Sequence, residues 1–180
     1  MKGIIFTEFL ELVESEFGLE VVDAIIEEAD LPSEGIYTSV GTYDFSEMVS
    51  LLTKLSEKVA MPTGDLLYAF GLFLFSKLGQ AHPEVIANYT SPIGLLNSIE
   101  DHIHVHVKKL YPDAELPTFN ILEKTDHSIS MIYSSKRGLY RLAHGLMEKT
   151  FEHFHGRAEI TYELLNPDGT EVKFQIVQNG

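Results

Sequence analysis

The sequence contains no cysteine. That absence removes disulfides, thiolate-ligated haem, iron–sulfur clusters, cysteine-type zinc sites and cysteine nucleophiles together. A transition metal held by this chain would depend largely on histidine. Cationic side chains are scarce too, with 13 Lys+Arg against 27 Asp+Glu and a formal net charge of −14. Nucleic-acid binding needs clustered cations that release counterions from phosphate, so no nucleic-acid function is expected. Long apolar runs are also missing. The longest, Leu66 to Phe75, is about half of the roughly 20 residues that cross a bilayer. Glu8, Glu11, Glu14 and Glu16 interrupt the one N-terminal segment that could open a signal peptide. The expectation is a soluble, cytoplasmic protein with no membrane association. Nor are there matches to G-x-x-x-x-G-K-[ST], G-x-G-x-x-G, H-E-x-x-H or G-x-S-x-G, which leaves phosphate cradles and the common zinc and serine hydrolase sites unsupported.

What is present is enough apolar material for a core: hydrophobic residues make up 44% of the 180 residues and aromatics 11%. One domain is the default at this length. Up to about residue 111 the apolar spacing is helical. Phe6, Phe9, Leu10, Val13 and Phe17 share one face, Val22, Ile25 and Ile26 begin a second, and Phe45, Met48, Leu51, Leu52 and Leu55 give a third. A fourth helix is expected from Thr63, capped by Thr63 with Gly64-Asp65, to about Leu78. It is apolar nearly all round, as a central core helix or the wall of a cavity for a large apolar ligand would be. From residue 118 the period shifts towards two at Phe119-Ile121 and Ile129-Met131-Tyr133. A helix carrying Leu139, Leu142, Ala143, Leu146, Met147 and Phe151 follows, then a hairpin that turns at Asn166-Pro167-Asp168-Gly169. The fold class expected is α+β, with an N-terminal helical subdomain and a C-terminal subdomain holding an antiparallel sheet, joined near Pro112 to Pro117.

Two constellations could carry chemistry. The first is the run Glu100-Asp101-His102-Ile103-His104-Val105-His106. As a strand it would put His102, His104 and His106 on one face, the geometry of a catalytic zinc. As a helix it would align Leu96, Ile99, Ile103, Val107 and Leu110 in one apolar stripe while the histidines diverge by about 100° per residue. The stripe extends further than the alternation, so the helix is favoured, with at most one histidine facing a pocket. A small zinc metallohydrolase using all three histidines is the competing reading. The second constellation is Tyr133-x-Ser135-x-Arg137 at the end of a strand. A phenol, a hydroxyl and a guanidinium aimed at one region suit a ligand with two carboxylates, since arginine pairs with carboxylate bidentately.

Together these residues resemble the H-NOX family, haem–nitric oxide/oxygen binding domains related to the haem domain of soluble guanylate cyclase. The likeness covers essentially the whole chain: Met1-Lys2-Gly3-x-Ile5, the histidine-bearing helix followed by Tyr111-Pro112 and Pro117, and the Tyr-x-Ser-x-Arg after a strand. The resemblance implies one domain over 1–180, with a distal helical part (1–62) and the remaining helices and sheet (63–180), and haem b between them. It implies that His104, seven residues before Tyr111, is the axial metal ligand. Tyr133, Ser135 and Arg137 would hold the haem propionates, and Ile5 and Pro117 would press on the porphyrin. For His102, His106, His127, His144, His153 and His155 an ordinary surface or packing role is expected.

The resemblance also bears on which gas binds. Family members that hold oxygen stably resemble one another in a distal tyrosine five residues after the motif's arginine. Leu142 stands there in this chain, with Leu139 and Leu146 on the same helical face and Leu74 and Leu78 expected opposite. Tyr68 and Tyr140 do not occupy the matching position. A pocket without a donor withholds from dioxygen a hydrogen bond of about 1.5–3 kcal/mol while costing nitric oxide less. The likeness thus implies a sensor of nitric oxide and carbon monoxide that excludes oxygen and has no catalysis of its own. It would signal through release of His104 and relaxation of the haem, in trans to a histidine kinase or a cyclic-di-GMP cyclase or phosphodiesterase. A haem carrier is the remaining alternative.

Overall fold

The computed structural model describes residues 1–179. Its N-terminal part is helical: α1 (Gly3–Phe17), α2 (Leu19–Glu28), α3 (Phe45–Val59) and α4 (Thr63–Ala81). Each helix buries the stripe that its spacing sets out. Phe6, Phe9 and Val13 of α1, Ile25 of α2, Leu51 and Leu55 of α3, and Leu66, Phe70 and Leu74 of α4 meet in one core. Asp44 caps α3 by accepting the Ser46 N–H at 2.8 Å. The expected cap at Thr63 does not form. Pro62 holds the N-cap position with no side-chain capping bond. Its ring fixes the backbone that leads into the helix, and Asp65 in the first turn supplies the negative charge favoured at that end. The irregular segment 31–42 is fastened to α3 by the buried Glu47 carboxylate, which accepts from the Ser33 hydroxyl and, at 3.0 Å, from the Tyr37 phenol.

Two short helices, α5 (Pro83–Ile86) and α6 (Pro92–Asn97), lead into a π-helical turn, Ile99–Ile103, and then α7 (His104–Leu110). The run 100–106 is therefore helical and not a strand. The second half is a four-stranded antiparallel sheet of β1 (Thr118–Lys124), β2 (Ser128–Ser134), β3 (Arg157–Leu164) and β4 (Glu171–Asn179), in the order β1-β2-β4-β3, with α8 (Tyr140–His153) between β2 and β3 in sequence. The register pairs Phe119 with Tyr133 and Met131 with Phe174, so the apolar alternation of each strand falls on a common face. That face packs with Ala143, Met147 and Phe151 of α8 and with Ile93 and Leu96 of α6 into a second core. The fold class is α+β.

The long helices α4 and α8 tie the halves together, and they cross at glycines. A Cβ on Gly71 would lie 2.3 Å from the Leu142 carbonyl oxygen, and one on Gly145 would lie 2.1 Å from the Tyr68 carbonyl oxygen. The two backbones are in direct contact, an approach that a side chain at either position would block. No single helix is long and apolar enough to cross a membrane among the described residues.

Candidate functional site

Between the two cores lies an apolar cavity of about 340 Å³, within the range of small-molecule and cofactor sites. Ile4 and Ile5 of α1 and Leu74 and Leu78 of α4 line one side. Leu139, which precedes α8, and Leu142 and Leu146 within it continue that wall. The opposite wall is the predicted stripe of Leu96, Ile99, Ile103, Val107 and Leu110, and Pro117 and Phe119 close the edge after the linker. All ten residues singled out from the sequence border this one space: Ile5, Leu74, Leu78, His104, Pro117, Tyr133, Ser135, Arg137, Leu142 and Leu146.

His104 is the first residue of α7, and its side chain is 14% exposed. Its Nδ1 lies 3.1 Å from Oε1 of Glu100, one helical turn back. A carboxylate can only accept, so Nδ1 carries the proton and Nε2 keeps its lone pair. This is the arrangement in which a second partner orients a metal-bound imidazole. The same Glu100 oxygen accepts the Phe119 N–H at 2.9 Å, which anchors the carboxylate to the start of β1. Burial pushes the His104 imidazole below its usual pKa and outweighs the pull of Glu100, so the ring is neutral, the form that binds metal. Glu100 is the functional residue that sequence reasoning missed. Its signal was the separation of four from His104, one helical turn.

The other two histidines of the run go elsewhere. His102 places Nδ1 3.2 Å from the Tyr89 hydroxyl, and the His106 ring lies beside that of His82, with 5.6 Å between centroids. The three do not converge on one point, so the zinc arrangement expected for a strand is absent; helical rotation separates them.

Tyr133 is buried at the end of β2, 5.6 Å from Phe119, which in turn lies 5.9 Å from His104. Burial raises the Tyr133 phenol above its usual pKa and keeps it a neutral donor. Period two accounts for Tyr133 only. The strand ends at Ser134, and a turn delivers Ser135 and Arg137, with the Arg137 N–H donating to the Ser135 hydroxyl at 3.2 Å. The Arg137 fork binds the Glu115 carboxylate at 2.8 Å and the Glu115 carbonyl at 2.7 Å. Glu115 is an exposed residue of the cavity rim, and its carboxylate stands where an acidic ligand group would be received. An apolar slot with a neutral imidazole on one wall and a carboxylate-binding arginine at its mouth fits haem, which brings iron, a flat apolar ring and two carboxylates.

The wall formed by Leu74, Leu78, Leu142 and Leu146 presents no hydrogen-bond donor from these side chains. Tyr68 and Tyr140 do not border the cavity. Tyr68 packs edge-on against His144, and Tyr140 against Tyr162 on the sheet side of α8.

Residues 2–162 match the family model described as Haem-NO-binding. Among solved structures, the chain is similar to an unliganded Fe(II) H-NOX protein mutant, A71G, from K. algicida, at 56% identity and a TM-score of 0.98, covering 100% of this chain and 97% of that one. It is also similar to an H-NOX protein from S. oneidensis in the Fe(II)NO state, at 30% identity and a TM-score of 0.92 over 100% of both chains. A third likeness is to an IWP-051-bound H-NOX from Shewanella woodyi in the Fe(II)CO state, at 41% identity and a TM-score of 0.84, covering 99% of this chain and 95% of that one.

Proposed function

Because this chain belongs to the haem-NO-binding (H-NOX) family, which binds haem and serves haem-based gas sensing, we propose that it is a nitric oxide sensor that also takes carbon monoxide, excludes oxygen and signals in trans. Bound ferrous haem supplies an iron position open to a diatomic gas. The rest of the task falls to the chain's own residues. His104 would hold the iron, its Nε2 left available by the contact of Glu100 with Nδ1. Tyr133, Ser135 and Arg137 would receive the propionates, with Arg137 turning to them from the Glu115 carboxylate. Ile5 and Pro117, both on the cavity wall, would pack against the porphyrin. Leu74, Leu142 and Leu146 keep the gas side dry and without a donor.

The observation that carries the gas selectivity is Leu142 on the cavity wall, with both candidate tyrosines turned away. A bound gas with charge on its outer atom finds no hydrogen bond there, a loss of about 1.5–3 kcal/mol that weighs on oxygen more than on nitric oxide. With haem bound, the signal would pass through His104, whose hold on the iron a bound gas would weaken. Loosening of His104 would let α7 and the linker 111–117 relax and residues 1–62 shift against 63–180. A ligand shifts such an equilibrium only through its different affinity for the two states, and a weakened hold on His104 would supply that difference. A histidine kinase or a cyclic-di-GMP cyclase or phosphodiesterase in the cytoplasm receives the change.

Visible spectra of the ferrous protein under nitrogen, air, carbon monoxide and nitric oxide test this reading. The spectrum is expected to be unchanged between nitrogen and air, to become six-coordinate with carbon monoxide and five-coordinate with nitric oxide. Leu142→Tyr is expected to give an air-dependent spectrum. An air-dependent spectrum in the unmodified protein would overturn the argument from Leu142.

A further inference from the structure

A second cluster of metal-ligating side chains, distinct from the Glu100–His104 pair, stands at the cavity's edge, where His82 and His106 line it and Glu84 does not. Helix α4 ends at His82, whose backbone leaves the helical region at φ −132°, and Pro83 then starts α5 with Glu84 in its first turn. This break brings His82 and Glu84 beside His106 of α7, 24 residues further along the chain. His82 Nδ1 is 3.5 Å from Glu84 Oε1, and the same oxygen is 4.0 Å from His106 Nε2. All three ligand atoms lie within 4.8 Å of one another.

His106 Nε2 is buried and has no hydrogen-bond partner among the described residues. An unpaired buried polar atom is costly and in native proteins usually meets a protein group, a water or an ion. Two tetrahedral ligands of zinc, each about 2.0–2.1 Å from the metal, stand about 3.3 Å apart. The 3.5 and 4.0 Å separations are therefore within a small side-chain adjustment of closing on one ion. The side chains are 32, 62 and 35% exposed in chain order, which leaves a path from solvent, and the −14 net charge draws cations. We propose that His82, Glu84 and His106 bind one divalent ion of the zinc class, with an open fourth position for water. Two imidazoles and a carboxylate suit zinc and related transition ions; calcium and magnesium prefer all-oxygen sets.

The ion would join the end of α4 to the helix that starts at His104. It is therefore a brace between the two walls of the haem cavity, whatever gas that cavity binds.

The test uses the haem-loaded protein, stripped with a chelator and dialysed against zinc sulfate. Metal analysis after gel filtration is expected to find one zinc per chain, and zinc K-edge X-ray absorption is expected to read nitrogen and oxygen ligands near 2.0–2.2 Å. Glu84→Gln and His82→Ala are each expected to weaken zinc binding tenfold or more, with Soret absorbance per chain unchanged in Glu84→Gln, whose side chain does not line the cavity, to certify the fold. Zinc retained equally by both variants, or none retained by the parent while its Soret band is intact, would overturn the site. Zinc bound normally by a protein with no Soret band would instead count against the haem reading.

Discussion

The two long walls of the cavity are built in opposite ways. The α4–α8 pair is locked by backbone contact, with Gly71 and Gly145 admitting no side chain and Phe70, Leu74, Met147 and Phe151 buried around the crossing. The stretch 99–110 facing it has no buried residue at all in either its π-helical turn or α7. Its stripe rests on the cavity itself, and its side-chain attachments include the Glu100 bond to β1, the His102 contact with Tyr89 and whatever His104 holds. Elements with few buried apolar contacts open at low free energy, while packed ones open only with the whole domain. Such an asymmetry suits the proposed sensing role: one wall is fixed in shape, and the other is loose enough to respond to what the cavity holds.

The largest expected effect comes from removing His104, the loose wall's proposed hold on the cofactor. His104→Gly is expected to retain haem only with added imidazole, while His102→Ala keeps the parent spectrum; an unaltered five-coordinate ferrous spectrum in His104→Gly without imidazole would break the comparison at its centre. Next is the fixed wall. Gly145→Ala drives a methyl against the Tyr68 carbonyl oxygen at 2.1 Å and is expected to cost about 1–3 kcal/mol in denaturant unfolding, as overpacking typically does.

The same wall should carry a pH dependence of stability. Burial, reinforced by Arg141, lowers the His144 pKa to about 4, and Arg141 donates to its Nδ1 at 3.2 Å. As pH falls from about 6.5 to about 4 the unfolded chain takes up a proton that the folded chain refuses, so stability is lost across that window. Roughly 2 kcal/mol is at stake after allowance for partial exposure. His144→Gln should flatten the difference between unfolding curves at pH 7 and pH 4.5. The smallest effect is expected at Val105, 44% exposed on α7, where Val105→Ser should change stability by less than about 0.5 kcal/mol.

The sequence was most legible where periodicity and burial coincide. The stripes of α1, α3 and α8 and the alternation of β2 were readable because each element buries one face against a core. The stripe from Leu96 to Leu110 was readable too, although it buries itself against a cavity. The short helices α5 and α6 were not legible, since four to six residues cannot show a helical period. Nor could spacing reveal the glycine crossing or the cluster of His82, Glu84 and His106, which depend on chain segments meeting in space. Glu100 stood in plain view beside His104, but its tie to the Phe119 N–H exists only once β1 is in place.

The π-helical turn before His104 has a consequence for comparing chains by length. In it the N–H groups of Ile103 and His104 reach back five residues, to Ser98 and Ile99, where an α-helix would reach back four. Such a turn amounts to an α-helix carrying one surplus residue. A chain lacking that residue could keep both flanking segments in phase, yet every position after it would be numbered one lower relative to Leu96. The count backward from Tyr111 would not change. The histidine proposed to hold the iron is therefore fixed by its distance to the downstream Tyr111, and an alignment anchored upstream would select its neighbour.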